Sequence, residues 1–328
     1  MSYNSILVIK PSSLGDIVHT LPAVGAIRQA NPKAKITWVI NPEWAPLLRG
    51  NPNIDHVHIF PRGEIRGLGV PGSLLPFMKT TRRLRPDAAV DFQGLLRSAL
   101  IGRLSGAPDF FGLSDAREGS RWFYNHVAAV DRCGHSVERY LKLAELVGGT
   151  VDPPLHFALP TGDPLPRFDE HPPFVLLHPF ARGRGKSLSD LAIEQFCTDL
   201  TPTRVVVVGK RKRTFRPPEN CVDLVNQTTL LQLVRLLRAA RFVVSVDSGP
   251  MHIAAAVTDR LISIHTWSDP RQVGPYNHNA WVWKNGRLLR VSELAAAADD
   301  FRKGRAFRRP DLPQVVEVVR RELLSLNA

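Results

Sequence analysis

Hydrophobic residues recur along the chain in two alternating patterns. Residues 6–9 form a short continuous apolar run, typical of a strand buried on both faces, and Ile17, Leu21, Val24 and Ile27 then recur at helical spacing. The other strand candidates are residues 36–40, 88–90, 174–177, 204–208, 242–246 and 261–264, and the other helix candidates are residues 95–104, 190–200, 229–240, 250–257 and 312–326. Strands that alternate with helices predict an α/β fold with parallel sheets.

Two stretches interrupt this alternation. Residues 61–86 are rich in glycine and proline, which predicts a long and partly mobile loop of the kind that often carries function. Residues 151–173 contain seven prolines and little periodicity, which predicts an interdomain linker. Because 328 residues support two cores of about 150 residues each, we predict an N-terminal domain over residues 1–160 and a C-terminal domain over residues 161–310.

Charge and cysteine content narrow the class of protein. The 43 Lys and Arg against 30 Asp and Glu give a net charge of +13, which points to a polyanionic partner such as nucleic acid, anionic lipid or a phosphorylated substrate. Basic residues concentrate in residues 79–85, 210–216 and 302–309, each of which is equally consistent with a solvated face. No apolar run reaches the roughly 18 residues of a membrane span, and no signal sequence is recognisable, so we expect a cytoplasmic protein. Three widely spaced cysteines predict reduced thiols, with neither a disulfide framework nor a zinc site.

The first strand-to-helix loop carries a candidate catalytic carboxylate. Ser13 and Gly15 bring a hydroxyl and close backbone NH groups to a helix N-terminus, and Asp16 follows them. A carboxylate repels phosphate, so we interpret Asp16 as a proton acceptor toward a sugar hydroxyl. The alternative is that Asp16 only stabilises the start of the helix.

Two loops of the second half have the chemistry of a phosphate site. Asp247 and Ser248 end a strand where Gly249 and His252 begin a helix, so free NH groups at that end suit a diphosphate. These residues could instead be simple caps. A glycine-rich loop with Arg182 and Lys186 can neutralise a leaving diphosphate. Neither the P-loop spacing nor the dinucleotide GxGxxG pattern is present.

Taken together, these motifs resemble glycosyltransferase family 9, the lipopolysaccharide heptosyltransferases. The matching blocks are ILVIKPSSLGDIVHTLPAV at 6–24, VDFQGLLRSALIGRLSG at 90–106, AREGSRWFYNH at 116–126, HSVERYLKL at 135–143, FVVSVDSGPMHIAAA at 242–256 and SDPRQVGPY at 268–276. They occur in the family's order over nearly the whole chain. The blocks at 116–126 and 135–143 are most similar to the heptosyltransferase I type.

The resemblance implies a fold and an activity. The fold would be GT-B, two Rossmann-like domains facing a central cleft, with a C-terminal helix over residues 311–328 that packs back toward the N-terminal domain. The donor would be ADP-L-glycero-β-D-manno-heptose and the acceptor Kdo-lipid A, with transfer by inversion and neither metal nor cofactor. Peripheral contact with the cytoplasmic face of the inner membrane, a monomeric state and no nucleic-acid partner are the further expectations.

The resemblance also assigns roles to residues. Asp16 matches the family's general base and Lys186 its phosphate-binding lysine. The positions expected to bind the donor are Ser13, Gly15, Pro179, Arg182, Gly209, Thr228, Asp247, Ser248, Gly249 and His252. The positions expected to bind the acceptor are Arg62, Arg66, Gln93, Arg117, His135 and Arg139.

Two departures and several alternatives stay open. Basic residues 210–213 replace the acidic ribose contact that the family tends to have, with Glu219 the nearest acid, and Trp267 stands where a Gly-Pro is usual. The alternatives are another ADP-sugar, a protein acceptor, a sugar-nucleotide epimerase or a basic nucleic-acid-binding protein. No aromatic–basic stacking motif supports the last of these.

Overall fold

The computed structural model of the protein describes residues 2–62, 70–166, 168, 170, 172–211, 215–297 and 300–325. Contacts within the chain divide it into two compact units, Met1–Pro160 and Thr161–Ala328. Each unit has its own sheet and its own hydrophobic core.

The first unit is a doubly wound parallel sheet. Its elements are β1 (Ser5–Ile9), α1 (Leu14–Ala30), β2 (Lys35–Ile40), β3 (His56–Ile59), α2 (Val70–Arg83), β4 (Ala88–Asp91), α3 (Leu96–Ser105), β5 (Asp109–Leu113), β6 (His126–Ala128) and α4 (Ser136–Leu146). The described strands pair in the order β3-β2-β1-β4-β5-β6, all parallel. Leu7, Val8 and Ile9 in the centre are fully buried, which explains why β1 is a continuous apolar run.

The second unit repeats this order of strands. Its elements are β7 (Phe174–His178), α5 (Asp190–Asp199), β8 (Arg204–Val207), β9 (Cys221–Asp223), α6 (Leu230–Ala239), β10 (Phe242–Val246), α7 (Gly249–Val257), β11 (Leu261–His265), α8 (Pro270–Val273), β12 (Trp281–Lys284), β13 (Arg287–Arg290) and α9 (Leu312–Ser325). The described strands pair in the order β9-β8-β7-β10-β11-β12, and β13 adds an antiparallel edge strand.

The order of strands fixes where each unit can bind a ligand. In a doubly wound sheet the crevice lies outside the carboxyl ends of the two strands at which the order reverses. These strands are β1 and β4 in the first sheet and β7 and β10 in the second. The loops that leave these four strands therefore contain the candidate sites.

Residues 61–86 differ from the predicted loop, because α2 covers residues 70–83. Phe77 is buried, stacks on the ring of His58 at 4.5 Å and meets Phe60 edge-on at 5.3 Å. This packing holds a helix that contains Pro76 and that local propensity does not favour. Residues 63–69 lie outside the described part of the chain.

The C-terminal helix α9 has its apolar face in the core of the second unit, against α5 and β10. Its predicted packing back toward the N-terminal domain stays a prediction. Leu312, Val315, Val316 and Val319 form that face. Glu322 on the same helix accepts hydrogen bonds from Trp281 Nε1 at 3.1 Å and from Arg290 at 2.7 Å. The helix thus completes the core beside its own sheet.

Two smaller observations concern the described residues. No helix among them is long and apolar enough to cross a membrane. Cys133, Cys197 and Cys221 are all free thiols.

Candidate active site

The crevice of the first unit contains Asp16. The residue lies in the first turn of α1, directly after β1, and its Oδ2 accepts hydrogen bonds from the Ser13 NH at 3.1 Å and the Ser13 hydroxyl at 2.5 Å. Asp16 therefore does help to start the helix. Its other oxygen, Oδ1, accepts from the Tyr140 hydroxyl at 3.3 Å. Gly15 is buried beside it in the same turn.

A buried lysine supports the tyrosine that contacts Asp16. The Nζ of Lys10 donates to the Tyr140 oxygen at 2.8 Å and to the Phe92 carbonyl at 2.8 Å, and Lys10 is only 2% exposed. Burial lowers the pKa of Lys10, and nearby Asp16 and Asp91 oppose that effect. Burial, together with the charge of Asp16, keeps the pKa of Tyr140 well above its usual value. Tyr140 is thus a neutral hydroxyl that donates to the carboxylate of Asp16.

The loop after β4 forms the other side of this crevice. Gln93 Oε1 accepts from the Ser12 NH at 3.2 Å, which joins the loops that follow β1 and β4. Fully buried Asp91 holds the second loop, since it accepts from the Gln93 NH at 2.8 Å, the Ser98 hydroxyl at 2.8 Å and the Tyr124 hydroxyl at 2.7 Å. Burial raises the pKa of Asp91, and these hydrogen bonds oppose that rise.

Arg139 and His135 lie on α4, which packs against α1. Arg139 directly precedes Tyr140 and forms an ion pair with Asp115, with 3.4 Å between the nitrogen and the oxygen. His135 caps α4, where its Nδ1 accepts from the Val137 NH at 3.2 Å. The helix pair therefore brings these two predicted acceptor residues beside the segment that carries Asp16.

The other predicted acceptor residues are more dispersed. The backbone NH of Arg117 donates to the Gly94 carbonyl at 2.8 Å, so Arg117 borders the Gln93 loop with an exposed side chain. Arg62 is exposed and forms an ion pair with Glu43 at 3.6 Å. Arg66 lies outside the described residues.

In the second unit, the crevice brings Lys186 and Asp247 together. Lys186 follows β7 and Asp247 follows β10, and the lysine Nζ lies 3.1 Å from Oδ2 of the aspartate. The same oxygen accepts from the Ser268 hydroxyl at 2.7 Å, and Ser268 Oγ lies 3.0 Å from Nδ1 of His265. The cluster therefore holds one ammonium group and one carboxylate, both partly accessible.

The charges in this cluster follow from its burial. Burial raises the pKa of Asp247, but His265, the Ser268 hydrogen bond and Lys186 outweigh it and lower that pKa to about 2. Burial lowers the pKa of His265 to about 4, so its imidazole is neutral at pH 7. Ser268 and Lys186 thus hold the Asp247 carboxylate ionised near neutral pH. Lys284, which is 1% exposed, donates to the carbonyls of Thr266 and Ser268 and anchors this loop.

A second buried histidine lies behind the α7 N-terminus. His178 Nδ1 is 3.2 Å from the Ser248 hydroxyl, and burial lowers the pKa of His178 to about 4. Gly209 at the end of β8 has φ +135°, and a Cβ there would lie 2.7 Å from the Phe180 ring and 3.3 Å from His178. Only glycine fits this position without a shift of its neighbours.

Most of the other predicted donor residues of the second unit lie in the loops beside this crevice. Ser248 is the N-cap of α7, Gly249 opens the helix, and His252 is 8% exposed in its first turn. Pro179 is buried after β7 and accepts from the Leu188 NH at 2.9 Å, while Arg182 is exposed in the following loop. Thr228 precedes α6 and is half-buried, and no described contact joins it to Lys186 or Asp247.

Sequence reasoning missed several residues of both sites. In the first unit these are Lys10, Asp91 and Tyr140, and in the second they are His178, His265, Ser268 and Lys284. Lys10 and Lys284 could have been found from the sequence, because each ends an apolar strand segment. A lysine that is buried at such a position needs a specific partner. Trp267 lies beside Gly185, where a Cβ would come within 3.4 Å of the indole Nε1. The basic run after β8 places Arg211 in an ion pair with Asp190 at the start of α5.

The two sites offer complementary chemistry. The first has a carboxylate held by hydroxyl groups, which can accept a proton from a substrate hydroxyl. The second has a lysine ammonium beside a helix N-terminus, which can stabilise negative charge on a phosphate group. Among the described residues, no group of three or more His, Cys, Asp or Glu side chains is arranged to hold a metal ion.

Comparison with known proteins connects these features to a family. A profile of glycosyltransferase family 9 (heptosyltransferase) matches residues 75–187 and 206–293. Lipopolysaccharide heptosyltransferase 1 of Salmonella typhimurium is 27% identical over 299 residues, which cover 84% of this chain and 92% of that protein.

Solved structures agree in fold. The structure of the E. coli ADP-heptose lipopolysaccharide heptosyltransferase II matches with a TM-score of 0.77 at 23% identity, over 99% of this chain and 100% of that one. The E. coli heptosyltransferase WaaC with ADP matches with a TM-score of 0.73 at 22% identity, over 99% of this chain and 100% of that one. The two doubly wound units are those of the GT-B fold. Because the family profile covers more than half of its residues, the chain belongs to glycosyltransferase family 9 and is a glycosyltransferase.

Proposed function

We propose that the protein transfers L-glycero-D-manno-heptose from ADP-heptose to the Kdo inner core of lipid A, as a step in lipopolysaccharide biosynthesis. The observation that carries this proposal is the division of chemistry between two crevices, a carboxylate in one and a lysine beside a helix N-terminus in the other. The relatives named lipopolysaccharide heptosyltransferase 1 support the donor and the pathway step.

The reaction is a single displacement with inversion. Asp16 takes the proton of the acceptor hydroxyl as that oxygen attacks the anomeric carbon of the heptose. The bond between the anomeric carbon and the diphosphate oxygen breaks, and ADP leaves with the electron pair. Lys186 and the NH groups at the start of α7 stabilise the charge that develops on the diphosphate. In this mechanism the lysine ammonium takes the part of a divalent cation, so transfer does not require a metal.

The remaining donor and acceptor residues support binding. Ser248, Gly249 and His252 contact the donor diphosphate, and Arg117, His135 and Arg139 contact the anionic acceptor. The protein acts as a monomer in the cytoplasm and associates peripherally with the inner membrane, where a lipid-linked acceptor is found. The net charge of +13 supports an anionic acceptor and an anionic membrane surface.

A donor screen tests the proposal directly. Purified protein is mixed with Kdo-lipid A and, in turn, with ADP-heptose, ADP-glucose or a UDP-sugar, and released nucleotide is measured with and without EDTA. We expect ADP release with ADP-heptose alone, unchanged by EDTA. Release with ADP-glucose, or transfer to a protein acceptor, would replace the proposed substrates. No release with any donor, together with salt-dependent binding to random DNA, would favour a nucleic-acid-binding protein instead.

A substitution tests the base. Asp16→Asn keeps the shape of the residue and removes its charge, so we expect loss of transfer with ADP-heptose binding nearly intact. Asp131→Asn is the matched control, because Asp131 is an exposed aspartate of the same unit whose described hydrogen bonds all lie within its own turn. Turnover retained by Asp16→Asn would remove Asp16 from the role of base.

A further inference from the structure

We propose that the outer surface of α3, together with the adjoining part of α2 and the turn Ser120–Phe123, docks the protein on an anionic lipid bilayer. We call this surface the α2–α3 face. The inference deepens the proposed lipid-linked acceptor and rests on that proposal for its purpose. The surface features that support it stand independently.

The exposed stripe of α3 is unusual for a helix that faces water. Leu96, Leu100 and Leu104 recur every four residues along one side and are exposed, with Leu104 at 53%. Arg97 and Arg103 on α3 are also exposed, and the Arg97 guanidinium lies over the Phe60 ring, 5.6 Å from its centroid. The buried side of the helix is made of other residues, including Ala99 and Ile101. The leucines are therefore not needed for the core of the unit.

The neighbouring α2 extends this surface with positive charge. Lys79, Arg82 and Arg83 are exposed near its C-terminal end, and Leu75 is 69% exposed one turn before Lys79. Helices α2 and α3 pack side by side, and a depression of about 490 Å³ is lined by the α2 cations, Arg85 and the end of α3. The α2 cations therefore adjoin the C-terminal end of α3.

The cations of this face have no acidic partner among the described residues. None of the cations on α2 or α3 forms an ion pair with a described carboxylate, and neither helix contains an Asp or Glu. At the margin of the face, Glu118 accepts from the Leu96 NH at 3.2 Å. An unpaired cationic surface with exposed leucines is complementary to an anionic bilayer, in which charge and apolar contact act together.

An exposed tryptophan borders the same helix. Trp122 is 91% exposed in the turn Ser120–Phe123, which packs against α3, and Arg121 beside it is also exposed. A tryptophan with an apolar ring and a polar NH suits the interface between lipid head groups and acyl chains. An exposed Trp beside three exposed leucines forms an apolar patch, and such patches mark sites of interaction with proteins or membranes.

The N-terminal end of this face lies near the first crevice. α3 begins three residues after Gln93, whose side chain contacts the loop that leads to Asp16. The leucine stripe therefore starts close to the carboxyl edge of the sheet, where Asp16 lies. A bilayer in contact with this end of α3 would bring a lipid-linked substrate near the first crevice.

Vesicle co-sedimentation tests the proposal without any catalytic readout. The full chain is mixed with vesicles of phosphatidylcholine alone or with one quarter phosphatidylglycerol, at low and high salt. We expect binding to the anionic vesicles only, weakened by salt. The triple variant R82Q/R83Q/R103Q should bind about 100-fold more weakly, because each cation near an anionic surface contributes roughly a factor of five. The variant L100S/L104S should also lose binding, although its charge is unchanged.

Matched controls separate this face from net charge and from activity. R302Q/K303Q/R308Q removes the same charge from exposed positions of the second unit and should keep vesicle binding. All variants should keep the unfolding temperature and ADP release with a Kdo oligosaccharide that lacks lipid. Equal loss of vesicle binding in the control triple variant, or binding of L100S/L104S as tight as wild type, would overturn the proposal.

Binding through these cations to random DNA but not to vesicles would assign the face to nucleic acid. Loss of ADP release in the wild type alone would refute the proposed function and leave the docking result unaffected.

Discussion

The Nζ of Lys186 lies 3.1 Å from Oδ2 of Asp247, although the two residues are 61 positions apart in the chain. Each residue belongs to a loop that leaves one of the two strands at the crevice of the second sheet. The carboxylate therefore holds the ammonium group at the site where a donor diphosphate is proposed to bind.

Removal of the ammonium group should affect both binding and chemistry. Lys186→Ala is expected to weaken ADP-heptose binding and to lower kcat on the order of 100-fold, because one electrostatic contact to the leaving group is lost. Isothermal titration with ADP and steady-state kinetics measure the two effects. Lys210→Ala is the control, since Lys210 is an exposed lysine of the same unit without a described partner. Normal values for Lys186→Ala would remove this lysine from the site.

Tyr140 should influence the base without touching the substrate. Tyr140→Phe removes the hydroxyl that donates to Asp16 at 3.3 Å and accepts from Lys10 at 2.8 Å. We expect kcat to fall about 10-fold and the acidic limb of the pH–rate profile to move to higher pH, because a hydrogen bond to the ionised carboxylate is lost. Tyr3→Phe is the control, since it removes a similar hydroxyl that donates to Asp109 at 3.0 Å. A lower kcat with an unshifted profile would assign Tyr140 a structural role only.

The stability of the second unit should fall in mild acid. Burial lowers the pKa of both His178 and His265 from 6.5 to about 4. The unfolded chain therefore takes up a proton as the pH falls through 6.5, while the folded form stays neutral until about pH 4. Above about pH 6.5 the two histidines should leave the free energy of unfolding unchanged. At pH 5 each histidine should lower the free energy of unfolding by about 2 kcal/mol relative to neutral pH. The lowered pKa of Asp247 acts in the same direction but only below pH 3.8.

Urea unfolding at pH 7.5 and pH 5 checks this prediction. His265→Asn should reduce the difference in unfolding free energy between the two pH values. His278→Asn, at an exposed position, should leave that difference unchanged. An identical pH dependence in wild type and His265→Asn would show that this histidine does not control acid stability.

Gly209→Ala should destabilise the wall of the second crevice. The substitution places a Cβ 2.7 Å from the Phe180 ring at a backbone φ of +135°. We expect a loss of about 2 kcal/mol or more, measured by denaturant unfolding. Gly50→Ala separates the two causes, because Gly50 also has a positive φ, +68°, but has nothing within 4 Å of the added Cβ. Equal losses in the two variants would attribute the effect to backbone conformation alone.

The alternation of strands and helices was enough to predict the α/β class and the parallel sheets. Strands that are buried over most of their length, such as β1, β7 and β10, gave largely apolar runs that are visible without a structure. Short or partly exposed strands gave no such signal. β3 and β9 are examples, because each is short and not fully buried, so neither a long run nor a clear alternation appears.

Tertiary packing determined two features that local sequence patterns could not predict, the formation of α2 and the packing partner of α9. α2 contains Pro76 and depends on contacts between Phe77 and the side chains of β3 and the following residues. The apolar face of α9 was recognisable, but its periodicity could not say which core would bury it. Local pattern gives the shape of an amphipathic helix and not its partner.

The site residues that the sequence predicted lie in loops after strands, whereas the residues that hold them in place lie on other elements. Asp16, Lys186 and Asp247 lie in the segments that follow β1, β7 and β10, so the sequence pattern exposed them. Tyr140 lies 124 residues from Asp16 and reaches it only because α4 packs against α1. Side chains that act through such long-range contacts carry no local signature.

Asp91 connects helix α3 of the first unit to the loop that follows β4. This buried carboxylate accepts hydrogen bonds from Ser98 on α3 and from the NH of Gln93, whose side chain in turn contacts Ser12. Helix α3 and the loop that leads to Asp16 are therefore both held by hydrogen bonds that meet at Asp91. Three hydrogen bonds thus connect α3 to the backbone of Ser12, and a substitution that removes the Asp91 carboxylate would break two of them at once.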